Sequence, residues 1–337
     1  MWQIVGQDRM LSSLQRSLER GMLAHAHLLV GPPHVGKMTL ALNLAQALNC
    51  EAAAPPCGEC LICQKIAEGK HADVQVIGLN GSPADARSRT EISIDQIREV
   101  QHSANLPPFE GRSRVFIIDG AEHLSTEAAN CLLKTLEEPA AGVFFILLST
   151  NDRLLPATVI SRCHRLELSR LPNPAVVAAL NDRWGVDAEK AELLARLCRG
   201  CLGWAMTAAG DDGLLRQRRE RMEKLIEVST GDVETRFAYT AELASQFSQN
   251  REPVWGIMDL WLDWWRDLLL VKVGCRDNAV NVDMLATLTD RAGGYRLDEI
   301  RDFIDCIQVA REQLRQNASP RLVLETMMLE VPRSRYG

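Results

Sequence analysis

Four groups of residues in this 337-residue chain have types and spacing that suit chemistry. They are a glycine-rich loop ending in lysine, an aspartate closing an apolar run, a cluster of four cysteines, and an arginine between serine and cysteine. Backbone amides and lysine suit phosphate, carboxylates suit magnesium, and thiolates suit zinc. An arginine can stabilise charge on a phosphate because its planar fork matches the phosphate oxygens.

The glycine-rich loop at 31–37 reads Gly-Pro-Pro-His-Val-Gly-Lys and matches the phosphate-loop pattern G-x-x-x-x-G-K. Gly31 and Gly36 let backbone N–H groups curl around phosphate oxygens, and Lys37 supplies positive charge. An apolar run precedes the loop and a helical pattern follows it, as such a loop requires. The pattern predicts a nucleotide-binding origin. It leaves open whether the chain binds ATP with Mg²⁺ or keeps a relic loop for the strand-to-helix turn.

Positions that usually hold magnesium and activate water are altered. Met38 stands where Ser or Thr would bind Mg²⁺, and Thr39 would point about 100° further round the helix. Asp119 can reach a metal-bound water, but Gly120 stands where a hydrolysing enzyme carries a second acid. A missing general base costs about 10²–10⁴ in rate, and we expect Glu122 to be a surface or helix-start carboxylate. These changes predict that hydrolysis by this chain is lost or very weak.

The clustered cysteines lie within fourteen residues, at Cys50, Cys57, Cys60 and Cys63. Four thiolates at close range satisfy tetrahedral Zn²⁺ and leave no open position for catalysis, so the predicted site is structural. Disulfide pairing is the competing interpretation, and a reducing compartment favours zinc. His71 lies nearby, and we expect it to be an exposed loop residue.

The triplet Ser161-Arg162-Cys163 follows an apolar segment. On its own, an exposed arginine there would be an ordinary salt-bridge partner. Combined with a nucleotide-binding fold, Arg162 is a candidate arginine finger that reaches a neighbouring subunit's nucleotide.

Alternating elements must position these groups. Apolar runs predict strands at 27–30, 74–77, 115–118, 144–148 and 165–168, and helical spacing predicts helices at 38–48, 94–102 and 126–137. Such alternation predicts an open, mostly parallel α/β sheet. After 171–174 the pattern becomes helical only. A stripe of tryptophan, methionine and leucine at 255–269 predicts helix-packing core rather than a ligand site.

Composition narrows the class of protein. A net charge of −6 argues against a general basic surface for nucleic acid. The basic run at 216–221 contains interleaved glutamates and is interpreted as a solvated helix face. No apolar run is long enough for a membrane span, and the N-terminus lacks a signal-peptide pattern. We therefore expect a cytoplasmic protein with no membrane partner.

A known family shares these features. The chain resembles the delta-prime family of subunits of bacterial DNA polymerase III clamp loaders, within the AAA+ class. The segments that carry the resemblance are 4–7, the phosphate loop, the four cysteines, 92–98, the run at 128–139, and Ser161-Arg162-Cys163. The resemblance implies an α/β AAA+ core at 1–168 with a zinc insert at 50–63. It also implies a small helical lid at 169–212 and an all-α collar for oligomerisation at 213–337.

The resemblance further implies a role. It suggests a stator in a heteropentameric ring with gamma/tau and delta subunits, which loads the sliding clamp on primed DNA. Arg162 would reach the ATP of a gamma/tau neighbour, and Asn151 would be a polar sensor. Trp204 replaces the nucleotide-sensing arginine of related ATPases, and the length leaves no room for a long tau-like tail. The alternative is an active gamma/tau-like ATPase, so we leave open whether the chain is itself an enzyme.

Overall fold

The computed structural model describes residues 2–79 and 91–333. Two compact units are present. The first comprises the described residues of Met1–Ala175 together with Gly200–Gly203, and the second comprises those of Val176–Arg199 and Trp204–Gly337. The predicted division into a lid at 169–212 and a collar from 213 stays a prediction.

The first unit contains a parallel sheet. Its described strands are β1 (Ala26–Val30), β2 (Val74–Ile77), β3 (Arg114–Asp119), β4 (Val143–Ser149) and β5 (His164–Glu167). They lie in the order β2-β3-β4-β1-β5, and every pairing is parallel. Each predicted strand is found to within about two residues, as is usual for strand ends.

Helices cover both faces of this sheet. Those described are α1 (Asp8–Glu19), α2 (Lys37–Asn49), α3 (Leu61–Ala67), α4 (Ile94–Ala104), α5 (Thr126–Glu137) and α6 (Ala157–Ile160). Successive strand residues alternate between the two faces, so Leu28 of β1 packs with α4 and α5 while Leu29 packs with α2. This three-layer arrangement confirms the predicted α/β core with a parallel sheet.

An aspartate fixes the turn that leads into β3. The carboxylate of Asp73 accepts hydrogen bonds from the backbone amides of Phe109, Glu110 and Gly111, at 2.7, 2.8 and 2.8 Å. The Arg114 guanidinium lies 3.4 Å from the same carboxylate. Burial would raise the pKa of Asp73, but these amides and the guanidinium hold it below its usual range.

The rest of the chain is helical. Its helices are α7 (Asn173–Trp184), α8 (Ala188–Leu197), α9 (Leu202–Gly210), α10 (Asp212–Thr230), α11 (Val233–Gln249), α12 (Arg251–Lys272), α13 (Leu285–Ala292), α14 (Leu297–Arg315) and α15 (Pro320–Leu329). Trp261 and Trp265 of α12 are fully buried in the core of the second unit, which confirms the predicted packing role of the tryptophan stripe. In the described residues, every helix is too short or too polar to cross a lipid bilayer.

Candidate functional site

The phosphate loop joins β1 to α2 at the carboxyl edge of the sheet. Gly36 adopts a left-handed conformation with φ 107°, which glycine tolerates best, and His34 is also left-handed at φ 59°. A Cβ on Gly31 would lie 2.7 Å from the carbonyl oxygen of Leu168, so only glycine fits there. The amide of Gly203 donates to the His34 carbonyl at 2.9 Å and fixes the outer side of the loop. The loop therefore retains the backbone shape that phosphate binding needs.

Lys37 lies across this loop. Its Nζ donates to the carbonyls of Gly31 and Pro32 at 2.6 and 2.9 Å. Burial lowers the pKa of Lys37, and the carboxylates of Glu122 and Asp119 oppose that shift. The Lys37 ammonium and the N-terminus of α2 thus both lie at this loop, a combination that suits an anion.

The residues beside Lys37 on α2 do not offer a good magnesium ligand. Met38 is half-buried and packs against the core beneath the sheet, and its only hetero-atom is a thioether sulfur. Thr39 is half-buried on the same helix. Magnesium prefers oxygen ligands, so the residues present fit a phosphate better than they fit a phosphate with its metal ion.

The end of β3 brings Asp119 to this edge of the sheet. Burial and the neighbouring Glu122 carboxylate raise the pKa of Asp119, and the Lys37 ammonium lowers it. Gly120 follows with φ 73°, and a Cβ there would come within 3.0 Å of the His123 ring. The chain turns sharply at this glycine, and no carboxylate occupies the position next to Asp119.

Glu122 has a role that the sequence did not reveal. Its Oε1 accepts hydrogen bonds from the hydroxyl of Thr150 and from the Thr150 amide, the latter at 2.9 Å. Burial would raise the pKa of Glu122, but these hydrogen bonds hold it below its usual range. Glu122 lies in the first turn of the short 3₁₀ helix Ala121–His123, as expected of a helix-start carboxylate, and it has this additional contact with Thr150. The contact forms because β3 pairs with β4 and brings the two strand ends together.

Asn151 follows Thr150 at the end of β4. Its Oδ1 accepts a hydrogen bond from the Arg153 amide at 3.1 Å, and its own amide donates to the Ser149 hydroxyl at 3.1 Å. This arrangement caps the short 3₁₀ helix Asp152–Leu154. Its proposed role as a sensor stays a prediction.

The cysteine cluster follows α2. The sulfur atoms of Cys50, Cys57, Cys60 and Cys63 all lie within 4.8 Å of one another. Those of Cys57 and Cys63 are 3.9 Å apart, close to the ~3.8 Å edge that zinc–sulfur bonds of about 2.3 Å give in a tetrahedron. The four residues are therefore compatible with a structural zinc ion.

Hydrogen bonds from backbone amides and burial both affect the thiols of this cysteine cluster. The amide of Cys60 donates to the Cys57 sulfur at 3.3 Å, and the amide of Cys63 donates to the Cys60 sulfur at 3.4 Å. The first of these bonds is the main cause that lowers the pKa of Cys57 to about 6. Burial raises the pKa of Cys63 to about 12, so a thiolate there needs a cation beside it.

The prediction that His71 is an exposed loop residue is wrong. It is buried, with 3% of its surface exposed, rather than lying in an exposed loop. Its Nδ1 accepts the amide of Asp73 at 3.2 Å, so the ring helps to shape the turn before β2. It lies outside the group of four cysteines that could hold a metal ion.

Arg162 lies just beyond α6, at the start of the segment leading into β5. A third of its side chain is exposed, and its Nη2 forms an ion pair with Glu137 of the same chain. Its Nη1 donates to the Thr158 carbonyl at 2.9 Å and to the Ser161 hydroxyl at 3.3 Å. The guanidinium is thus accessible and is held by its own subunit.

Two other predicted features lie in the second unit. Trp204 is on α9 and is half-buried. In the basic run, Arg218 forms an ion pair with Asp283 at 2.9 Å, while Arg216 and Arg219 are exposed. The exposure of Arg216 and Arg219 agrees with a solvated helix face. Arg218 does not, because its side chain is only 10% exposed in the ion pair.

Sequence comparisons show which known proteins this chain is similar to. A family model described as "DNA polymerase III, delta subunit" matches residues 6–172. The DNA polymerase III subunit tau of Bacillus subtilis is 28% identical over 358 aligned positions, which cover 97% of this chain and 60% of that protein. The DNA polymerase III subunit delta' of Bacillus subtilis is 26% identical, and the match covers 96% of this chain and 95% of that protein.

This chain belongs to the clamp-loader family of DNA polymerase III subunits. The resemblance found from the sequence is thereby confirmed at the level of the family. The Escherichia coli subunit tau is 39% identical over 170 residues, which are 50% of this chain and 25% of that protein. The chain thus spans 60% or less of the tau relatives named here.

A solved structure is also similar to this chain. It is a DNA polymerase III gamma subunit-related protein from Thermotoga maritima, with a TM-score of 0.43 and 17% identity. The match covers 96% of this chain and 99% of that chain.

Proposed function

We propose that this chain is a delta-prime-type subunit of the DNA polymerase III clamp loader. In this role it lends Arg162 to the ATP site of a neighbouring gamma/tau subunit while the sliding clamp is loaded on primed DNA. Its own ATP hydrolysis is weak or absent. The observation that carries the proposal is the left-handed Gly120 directly after Asp119, which leaves water activation without its usual acid while Arg162 stays accessible.

The phosphate loop supports nucleotide binding without turnover. Backbone amides and Lys37 can hold phosphate oxygens, and Asp119 can hold a metal-bound water. Met38 removes one oxygen ligand for Mg²⁺, and Gly120 removes the group that would polarise the attacking water. Because these changes affect separate requirements of one reaction, we expect their effects on the rate to combine.

Arg162 supports action on a partner. A guanidinium presents two parallel N–H donors to phosphate oxygens, and such a finger contributes about 10³–10⁵ to turnover at the site it enters. The helical region after 213 would act as the collar that places Arg162 beside the neighbour. Gamma/tau and delta subunits are the partners, and the clamp and primed DNA are reached through the assembly.

Zinc would serve structure rather than catalysis. A site made from Cys50, Cys57, Cys60 and Cys63 has no position left for a substrate or a water. When bound, the ion would neutralise the buried thiolate of Cys63 and fix the segment between α2 and α3.

Reconstitution tests the proposal. Steady-state ATP hydrolysis is measured for this chain alone, for the gamma/tau and delta subunits without it, and for all of them together with clamp and primed DNA. We expect negligible turnover by the chain alone and a large gain when it joins the others. Turnover of about 1 s⁻¹ by the isolated chain, within the ordinary enzyme range, would contradict the proposal.

A second candidate is an active ATPase of the gamma/tau type. The observation that favours it is Glu122, whose carboxylate lies near Lys37 and bonds to Thr150 at the strand end. In that case Glu122 would replace the acid missing at Gly120. Substitution of Glu122 or Lys37 separates the two candidates, since only an active site of its own would need both.

A further inference from the structure

Arg162 forms an ion pair with Glu137, a residue outside the arginine triplet. Glu137 is the last residue of α5, and 48% of its side chain is exposed. A carboxylate at the C-terminus of a helix opposes the helix dipole. The guanidinium of Arg162 offsets that unfavourable charge, so the two residues stabilise one another in the unassembled chain.

Contacts within the subunit occupy both terminal nitrogens of the guanidinium. Nη2 contacts Glu137, and Nη1 donates to Thr158 and Ser161. In the part of the chain that the structure describes, the buried Nε has no hydrogen-bond partner. Arg162 therefore cannot offer a full two-donor face to a phosphate while these contacts last.

We propose that Glu137 is a positioning residue that holds Arg162 against its own subunit until a neighbour's triphosphate displaces the carboxylate. This inference rests on the proposed function, in which Arg162 enters the neighbour's site. A carboxylate and a γ-phosphate are both anions suited to the same planar fork. They repel each other when close, so the guanidinium exchanges one for the other.

The partial exposure of the ion pair makes this exchange easy. Exposed pairs contribute little to stability because water and salt screen them, and the known range corresponds to roughly two- to fivefold in an equilibrium. The Glu137→Gln variant keeps an oxygen acceptor but removes the charge. It should shift Arg162 toward release by about that factor.

The first experiment uses the isolated chain. An arginine-selective dicarbonyl reagent is applied, and modification of Arg162 is followed by peptide mass spectrometry. We expect Arg162 to react about two- to fivefold faster in Glu137→Gln than in wild type. The matched control is Glu138→Gln, which removes the same charge one position later; among the described residues Glu138 forms no ion pair. Equal rates in all three proteins would overturn the inference, whatever the function.

The second experiment uses the assembled loader. Glu137→Gln should lower the KM for ATP about two- to fivefold without lowering kcat, since the finger is released more easily. Glu138→Gln should match wild type, and Glu137→Gln should have no effect in an Arg162→Ala background. A fall in kcat on Glu137→Gln would overturn the inference, because Glu137 would then orient the finger rather than restrain it.

The two experiments also separate this inference from the proposed function. If Arg162→Ala leaves loader turnover unchanged, the proposed function fails and this inference fails with it. If Arg162→Ala reduces turnover but Glu137→Gln leaves KM unchanged, only the inference fails. Melting curves of each variant check that the chain remains folded.

Discussion

The phosphate loop and the Arg162 segment belong to the same unit but differ in what each offers for chemistry: the first a backbone conformation, the second an accessible functional group. The loop keeps its backbone shape, with a left-handed Gly36 and a lysine across its mouth, but the next residue is Met38. The Arg162 segment keeps a functional group, accessible and supported by hydrogen bonds. Shape without a complete set of reactive groups supports binding, whereas one accessible guanidinium can act on a site elsewhere.

This contrast follows from what each region contributes to the fold. The loop connects β1 to α2, so its glycines are required by the turn whether or not nucleotide is hydrolysed. Arg162 makes only partly exposed contacts, which add little to stability. Its chemistry is therefore the better guide to function, and the contrast can be tested from both sides.

The substitution with the largest expected effect is the removal of the Arg162 guanidinium. Under the proposed function, Arg162→Ala should lower ATP turnover of the assembled loader by about 10³–10⁵ at the site it enters, since the guanidinium fork stabilises charge on the transferred phosphate. Arg165→Ala is the matched control, because Arg165 is a nearby exposed arginine that pairs with Asp152 and Glu167. Equal, small effects of both substitutions would contradict the contrast.

Removal of a zinc ligand should affect stability rather than chemistry. Cys63→Ala should abolish binding of one zinc ion per chain and lower the free energy of unfolding by more than about 2 kcal/mol, because a buried metal ligand is lost. Metal analysis and denaturant unfolding measure the two effects. Cys275→Ala, at an exposed cysteine outside the cluster, should change neither. A wild-type chain purified without zinc would rule out the site.

The contribution of Glu122 to stability should depend on pH, which gives a further test of the phosphate-loop region. Its pKa is held below the usual range, so its stabilising contribution is present above the unfolded pKa of about 4.3 and is lost as pH falls through the folded value. Glu122→Gln should therefore lower the free energy of unfolding by about 1 kcal/mol at pH 7, and this difference should shrink below about pH 4.

Loader turnover should be unaffected by that change. Glu127→Gln, on the exposed face of α5, is the control for loss of one carboxylate. A marked loss of turnover on Glu122→Gln, without a matching loss of stability, would favour the ATPase candidate.

The smallest expected effect is at the lysine of the phosphate loop. Lys37→Ala should reduce loader turnover less than about twofold, since under the proposed function the hydrolysing sites lie on other subunits. Nucleotide binding to the isolated chain, measured by calorimetry, should weaken. A collapse of loader turnover comparable to that of Arg162→Ala would mean that this chain hydrolyses ATP.

Much of the fold and of the candidate site could be predicted because local sequence patterns determine them. Continuous apolar runs gave the strands, glycine and lysine spacing gave the loop, and cysteine spacing gave the cluster. Glu122 and Glu137 were missed because their partners, Thr150 and Arg162, are 28 and 25 residues away and meet them only in the folded sheet. His71 was wrongly predicted to be exposed, since its burial depends on the turn built around Asp73.

That turn has a consequence for acid conditions. Protonation of Asp73 removes the charge that gathers three backbone amides and the Arg114 guanidinium at the start of β3. Because its pKa is depressed, the carboxylate keeps its charge until the medium is strongly acidic. Once it is neutralised, the edge of the sheet formed by β2 and β3 should loosen before its centre, and faster hydrogen exchange of the Phe109 backbone amide, which donates to Asp73, would report the first step of acid unfolding.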